Sequence, residues 1–402
     1  MTGADRTGAE PAGAEKTPSR SLSLAILEVP FRVELGPGLS DEDVARITSS
    51  WQSCAAEDTA EARVISADVL GPAASTGAGV RVQAHSVAQL EESLTSTLTL
   101  EAIGERRAEL LMLHACGVAA DDGRVLAFVA ASGTGKTTAS RVLGARFGYV
   151  TDETVAVTPE GGVLPYPKPL SVKPLTGSAP KAQLSPVDLG LRPLPQAPLV
   201  LAGVVLLDRR DGVDEPRLEQ VDPTDAIDDL VPQTSYLASR PRALWDLVRT
   251  LASVGGVKRL VYSEAEGVLP LVDGLLAATQ EPAPSIWDEV LALPIDVEDA
   301  AGDGSVRRAR VDDALLLPSG EVLVFRENTV IRLAGIGPTV WRAAGDGVDQ
   351  PALVAAVLAE LGGPPEGIDA AAAVSAAVDE LRGLGVITSG APPRPAPEGV
   401  HA

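Results

Sequence analysis

The sequence predicts a mixed α/β chain in two folded parts: an α/β domain built around one Gly-rich turn, then a small domain of hairpins followed by helices. Three observations carry this. An apolar run of strand length, RVLAFVA at 124–130, leads directly into AASGTGKT and then into a helical pattern. A second such run, LVLAGVVLLD, returns at 199–208. Near the C-terminus three β-patterned stretches (ARVDDALLLP, EVLVF and TVIRL) lie close together and precede three helical ones.

Taken in order, residues 1–20 are small and polar without periodicity, which predicts a disordered tail. An α/β domain spans 21–282. It opens on strand-like SLAILEVPFRVEL, interrupted by Pro30, and continues with ARVISADV and GVRVQAHSV. From 86 to 112 apolar residues fall three and four apart, predicting a helix. The strand at 124–130, a helix over 137–147 ended by Gly148, and a strand over 149–157 form the centre. Residues 159–198 are proline-rich and predict loop. Helices are expected at 241–254, with Pro241 at the start, and at 267–278. Acid- and proline-rich residues 283–304 predict a linker. A second domain follows over 305–388, with helices at 337–344, 350–361 and 370–383, and then a flexible tail from 389 to 402.

Composition narrows the function. Hydrophobic residues make up 45% of the chain but aromatics only 3%, so the cores must be aliphatic. A net charge of −22 opposes general nucleic-acid binding, which needs a basic face to displace phosphate counterions. Cys54 and Cys116 form no metal or redox spacing, and no signal peptide is evident, so a cytoplasmic location is expected. No apolar run approaches the roughly 20 residues that span a bilayer, so no membrane partner is expected. Homo-oligomerisation is left open.

The turn at 130–137 has the residues that phosphate binding requires. Gly133 and Gly135 let consecutive backbone N–H groups point inward at phosphate oxygens, with Ser132 and Thr134 between and beside them. The helix that follows adds its positive N-terminal end, on which Thr138 also lies. Lys136 has the place of the lysine that reaches β- and γ-phosphates, and Thr137 that of the hydroxyl that ligates Mg²⁺. A nucleoside triphosphate, ATP with Mg²⁺, is the expected ligand. Ala130 stands where the motif has its first glycine, a position that can keep ordinary strand dihedrals. Asp152 and Glu153 in the next strand and Asp208 at the end of the 199–208 run are the candidate acids, and His114 precedes the loop strand.

HACGV at 114–118, the loop at 130–137 and VTDETV at 150–155 together resemble the HPr kinase/phosphorylase catalytic domain, which shares its P-loop architecture with ATP-dependent phosphoenolpyruvate carboxykinase. The resemblance covers about 90–270. It implies an acid/base or acceptor-orienting role and a metal contact for Asp152, with Glu153 in place of a second aspartate. It also places His114 on the family histidine and demotes Asp208. YPKPLSVK at 166–173 resembles a segment near the active site of such proteins, with Lys168 and Lys173 as exposed cations. The glycine-rich signature of true HPr kinases and their N-terminal domain are absent, which argues against HPr itself as substrate. The C-terminal part resembles PqqD-like domains through DALLLP at 313–318, GPTVW at 337–341, Asp346-Gly347 and VDELRGLGVI at 378–387. That resemblance implies a winged-helix-like fold that recognises the leader of a ribosomally made, modified peptide. Thr329, Val330, Ile331, Arg332 and Leu333 are then the candidate edge for an added peptide strand, facing the helix at 370–383. Trp341 reads as core.

The expected function is an ATP-dependent kinase acting on a Ser or Thr hydroxyl of a precursor or carrier peptide or protein, in ribosomal peptide modification. Catalysis would rest on Lys136, Asp152, Glu153 and His114. The alternative is a non-catalytic ATP-binding escort that presents the peptide to other enzymes.

Overall fold

The computed structural model describes residues 20–70, 79–131, 135–173, 179–278, 286–296, 305–345 and 347–389. The fold is mixed α/β, with several sheets and interleaved helices. Two compact units divide the chain: Met1–Ala102 with Pro167–Leu189, and Ile103–Tyr166 with Gly190–Ala402. Among the described residues no helix is long and apolar enough to cross a membrane.

In the first unit Ser21–Ile26 and Val29–Leu35 pair as an antiparallel hairpin. They turn on Leu27 and Glu28, both at positive φ, the backbone that matches hairpin twist. Pro30 does not interrupt the pairing but sits within it, opposite Ala25. Arg63–Val69 and Val80–Ala84 extend the sheet in parallel. The helix Asp41–Ser50 starts from a capping box in which Ser40 and Asp43 satisfy each other's backbone N–H. Lys168 belongs to this unit and is fully buried, its Nζ donating to the Pro169 carbonyl at 3.0 Å. The sequence reading of Lys168 as an exposed loop cation is thereby corrected, while Lys173 is exposed.

The second unit is organised by a six-stranded sheet. At its centre Arg124–Val129 runs parallel to Val200–Arg209, which in turn runs parallel to Val257–Tyr262. Ala115–Ala119 and Gly148–Thr151 complete one side in antiparallel fashion, and Arg217–Gln220 closes the other. The 124–129 strand shows why its residues read as a continuous apolar run. Val125, Ala127 and Val129 enter one core and Leu126 and Phe128 another, so both faces are covered. The helix Lys136–Arg146 lies on the second face through Ala139 and Leu143.

The helix expected across 86–112 ends at Glu105, and Leu111–Leu113 instead form a strand. All three of these residues are buried and pair with Val155–Val157, a tertiary gain that helical periodicity cannot register. Likewise the strand expected across 149–157 is two strands, Gly148–Thr151 and Val155–Val157, in different sheets. Short strands Val163–Leu164, Leu170–Val172 and Ala182–Leu184 punctuate the proline-rich stretch.

The C-terminal elements belong to the same compact unit as the central sheet. Asp313–Leu316, Val322–Arg326 and Thr329–Leu333 form consecutive antiparallel pairs. Three helices, Gly337–Ala344, Gln350–Leu361 and Ala370–Gly383, pack on them around a core that contains Trp341. Leu315, Leu317, Leu323 and Phe325 face the other way, into the core shared with Leu244, Leu247 and Leu251 of the helix Ala243–Ser253. Within the stretch expected as linker, Trp287 is buried in that core and Leu291–Ala292 pair with Leu315 and Leu316.

Candidate functional site

Two adjacent strand pairs change sheet at the same corner, and the candidate acids lie on it. Leu111–Leu113 and Ala115–Ala119 are separated only by His114, and Gly148–Thr151 and Val155–Val157 only by residues 152–154. On one side of the corner Leu113 pairs with Val155, and on the other Gly117 pairs with Thr151. His114 and Asp152-Glu153 are therefore neighbours by sheet register. Gly117 permits this closeness, because a Cβ there would come within 2.9 Å of Val155 Cγ2.

Hydrogen bonds fix the corner. The Thr151 hydroxyl oxygen accepts from the backbone N–H of Glu153 at 3.1 Å and of Thr154 at 3.3 Å, holding the 151–154 turn. The Glu153 carbonyl accepts the Ala115 N–H at 3.1 Å. His114 Nδ1 lies 2.9 Å from that same carbonyl and 3.3 Å from Glu153 Oε1. In the tautomer that carries its proton on Nδ1, His114 donates to these oxygens and Nε2 is left as an acceptor. His114 and Glu153 are each about one-third exposed, whereas Asp152 is buried and its Oδ1 accepts the Tyr149 hydroxyl at 3.1 Å.

Lys136 lies within electrostatic reach of Asp152 and Glu153. It is buried, with Nζ donating to the Ala130 carbonyl and, at 3.4 Å, to that of Ala131. Burial pulls its pKa below the ordinary lysine value, against the opposing charges of Glu153 and Asp152. Cys116 itself is buried under the Lys136–Arg146 helix with its thiol pushed up to about 12, chiefly by desolvation, so it is no nucleophile.

Gly135 caps the helix in a left-handed conformation, φ +103°, which a side chain at this position would strain. Thr137 is half-buried in the first turn and Thr138 is exposed. Ser132, Gly133 and Thr134 lie outside the described residues, as does Asp346. Among the described residues no group of three or more His, Cys, Asp or Glu side chains could hold a metal ion.

A cavity of about 340 Å³ opens at the C-terminal ends of the parallel strands, next to Ala130 and Ala131. This is where open α/β sheets bind ligands. Its charged border comprises Asp208, Asp228, Asp229 and Arg259. Asp208 is held below the usual carboxylate range by Arg210, which bonds both its oxygens, with Arg259 adding to the effect. Asp228 is pushed up by burial. Sequence reading missed Asp228, Asp229 and Arg259, which come from distant segments and carry no motif.

Thr329–Leu333 is the end strand of its sheet, paired only with Val322–Arg326 among the described residues. Val330 and Ile331 are half-buried, and Leu333 is buried in the core that also holds Val374, Val378 and Leu381 of the last helix. Thr329 and Arg332 are exposed. The Arg332 guanidinium is held by Glu321 at 3.0 and 2.7 Å and acts electrostatically on Asp228 and Asp225. One end of the edge strand thus lies in the electrostatic neighbourhood of the cavity beside Ala130. A scan of known protein families finds no match to this chain, and no curated protein matches it significantly.

Proposed function

We propose that this protein is an ATP-dependent kinase of the HPr kinase/phosphorylase-like P-loop kind, joined to a PqqD-like winged-helix domain. It transfers phosphate to a Ser or Thr hydroxyl of a peptide or protein, with a precursor leader added to the strand Thr329–Leu333. The observation that carries this reading is the corner that joins His114, Asp152 and Glu153, with Lys136 within electrostatic reach of both carboxylates. The electrostatic link from Arg332 on that strand to Asp228 at the cavity beside Ala130 supports it.

The residues divide the work as follows. Lys136 exchanges the Ala130 and Ala131 carbonyls for β- and γ-phosphate oxygens, aided by the helix N-terminus at Gly135. Thr137 and Asp152 would hold Mg²⁺, which when bound neutralises charge on the transferred group. The acceptor oxygen forms a bond to the γ-phosphorus while the bond to the ADP oxygen breaks. Asp152, positioned by Tyr149, takes the hydroxyl proton. His114, oriented through Nδ1 by Glu153, presents Nε2 to the same space.

The test is purified protein with γ-labelled ATP, Mg²⁺ and a candidate precursor peptide. Label on a peptide Ser or Thr that is lost in Asp152→Asn is the expected result. Saturable ATP and peptide binding with no transfer and no turnover would sink the kinase assignment and leave a nucleotide-dependent escort.

A further inference from the structure

A second, larger cavity of about 1120 Å³ lies within the C-terminal half of the second unit, away from the Gly-rich turn. Its lining is unlike the rest of this acidic protein. Arg240, Arg307, Arg308, Arg310, Arg326 and Arg382 all border it, against two acids, Asp296 and Asp312. In a chain of net charge −22, six guanidiniums around one cavity make a local positive field that the whole molecule opposes.

Two of these arginines show that the field is incompletely neutralised from within. Arg240 has a side chain only 9% exposed and gives Nη2 to Asp246 at 3.1 Å, while its Nε and Nη1 are buried with no acceptor. Its charge is removed from water and only partly compensated, a state that an approaching anion relieves. Arg310 is exposed and makes no hydrogen bond or ion pair among the described residues. By contrast Arg308 is held over Trp341 and by the Pro294 carbonyl, and Arg326 by the Gly385 carbonyl and Glu327.

Size and backbone favour a polypeptide over a small anion. The cavity exceeds the roughly 300–1,000 Å³ usual for small-molecule sites. Ile387 and Thr388 on its wall belong to the strand Ile387–Ser389, which pairs only with Val306–Arg308 among the described residues and leaves one edge for an extended chain. We infer that this cavity is a docking site for an acidic stretch of polypeptide, whose carboxylates meet Arg310 and the field of Arg240. The site is separate from the edge Thr329–Leu333 and does not depend on phosphoryl transfer.

The test uses the full chain without nucleotide, with a fluorescein-labelled decaglutamate and its decaglutamine counterpart followed by anisotropy. Decaglutamate should bind and weaken as salt rises, and decaglutamine should not bind. Arg310→Glu, which removes no internal bond, should weaken decaglutamate at least tenfold with an unchanged urea midpoint. Arg240→Gln should do the same, with its midpoint measured alongside because it gives up the Asp246 contact. Equal binding of decaglutamate to wild type and Arg310→Glu would overturn the proposal, as would equal binding of the two peptides. Displacement of decaglutamate by millimolar inorganic phosphate, at chloride-matched ionic strength, would also overturn it in favour of a small-anion site. Failure on any arm leaves the kinase assay untouched, since no ATP is present.

Discussion

Asp152 and Lys136 pose opposite problems for the folded chain: one is a buried acid and the other a buried base, each held by a neutral neighbour. If Asp152 takes the acceptor proton, Asp152→Asn should lower phosphoryl transfer by about 10²–10⁴-fold, the usual range for a positioned base. Affinity for ATP in the absence of Mg²⁺ should change far less, since Asp152 would meet the nucleotide only through the metal. Calorimetric ATP titration beside a transfer assay checks this, and parallel losses in both would make Asp152 a binding residue only. Lys136→Met should do the reverse, weakening ATP binding while leaving the urea midpoint at or above that of wild type, because a buried, desolvated charge is replaced by an apolar chain of similar length. These residues were legible because each motif is contiguous: lysine follows glycine at a strand end, and the acids follow an apolar strand. Asp228, Arg259 and Arg332 were not, since each gains its place only when segments about 100 or more residues from the Gly-rich turn converge on one cavity.

At the level of elements, the helix Ala243–Ser253 has no capping side chain of its own and begins at Arg242, which is in a left-handed conformation. Its cap comes from another strand: Asp313 Oδ2 accepts the Trp245 N–H at 2.8 Å, while Oδ1 lies 3.0 Å from Arg242 Nε. Asp313→Ala removes a cap and one half of a buried ion pair, so a loss of about 2–4 kcal/mol in urea unfolding is expected. Burial raises the Asp313 carboxyl above its ordinary 3.8, outweighing the N–H of Trp245 and the charge of Arg242. The folded state therefore binds this proton more tightly than the unfolded chain. Its contribution is complete below pH 3.8 and lost as pH rises through the raised value. The urea midpoint of wild type relative to Asp313→Asn should accordingly fall across that window, and a rise would mean that the Arg242 attraction prevails. Trp287 makes the same point about reading a sequence. Composition around it signals a linker, yet the indole is buried, and a Cβ on Gly256 would come within 2.5 Å of its Nε1. Trp287→Ala should cost roughly 3–5 kcal/mol, as for other buried aromatics. The central strands were readable because both faces are covered and their apolar runs are continuous. The split strands at 111–119 and 148–157 were not, because a change of sheet leaves apolar periodicity intact.

On the scale of the second unit, the C-terminal hairpins and the α/β sheet share one core rather than touching through polar surfaces. Leu315, Leu317, Leu323 and Phe325 lie in the same cluster as Leu244, Leu247, Leu251 and Trp287. Interfaces between independent domains are usually more polar and allow relative motion, whereas a continuous aliphatic core couples the parts into one cooperative block. Phe325 is the sharpest probe, being fully buried on an inner strand of the C-terminal sheet, with its ring in the shared core while Val322 and Val324 enter the other. Phe325→Ala should cost about 3–5 kcal/mol. Its effect on native-state hydrogen exchange should not stop at the hairpins. Amides of the helix Ala243–Ser253 and the strand Val200–Arg209 should lose protection together with those of Asp313–Leu316 and Val322–Arg326. Loss confined to 305–389 would show two independently opening domains, and any coupling between a peptide on the edge strand and the Gly-rich turn would then need a route other than this core.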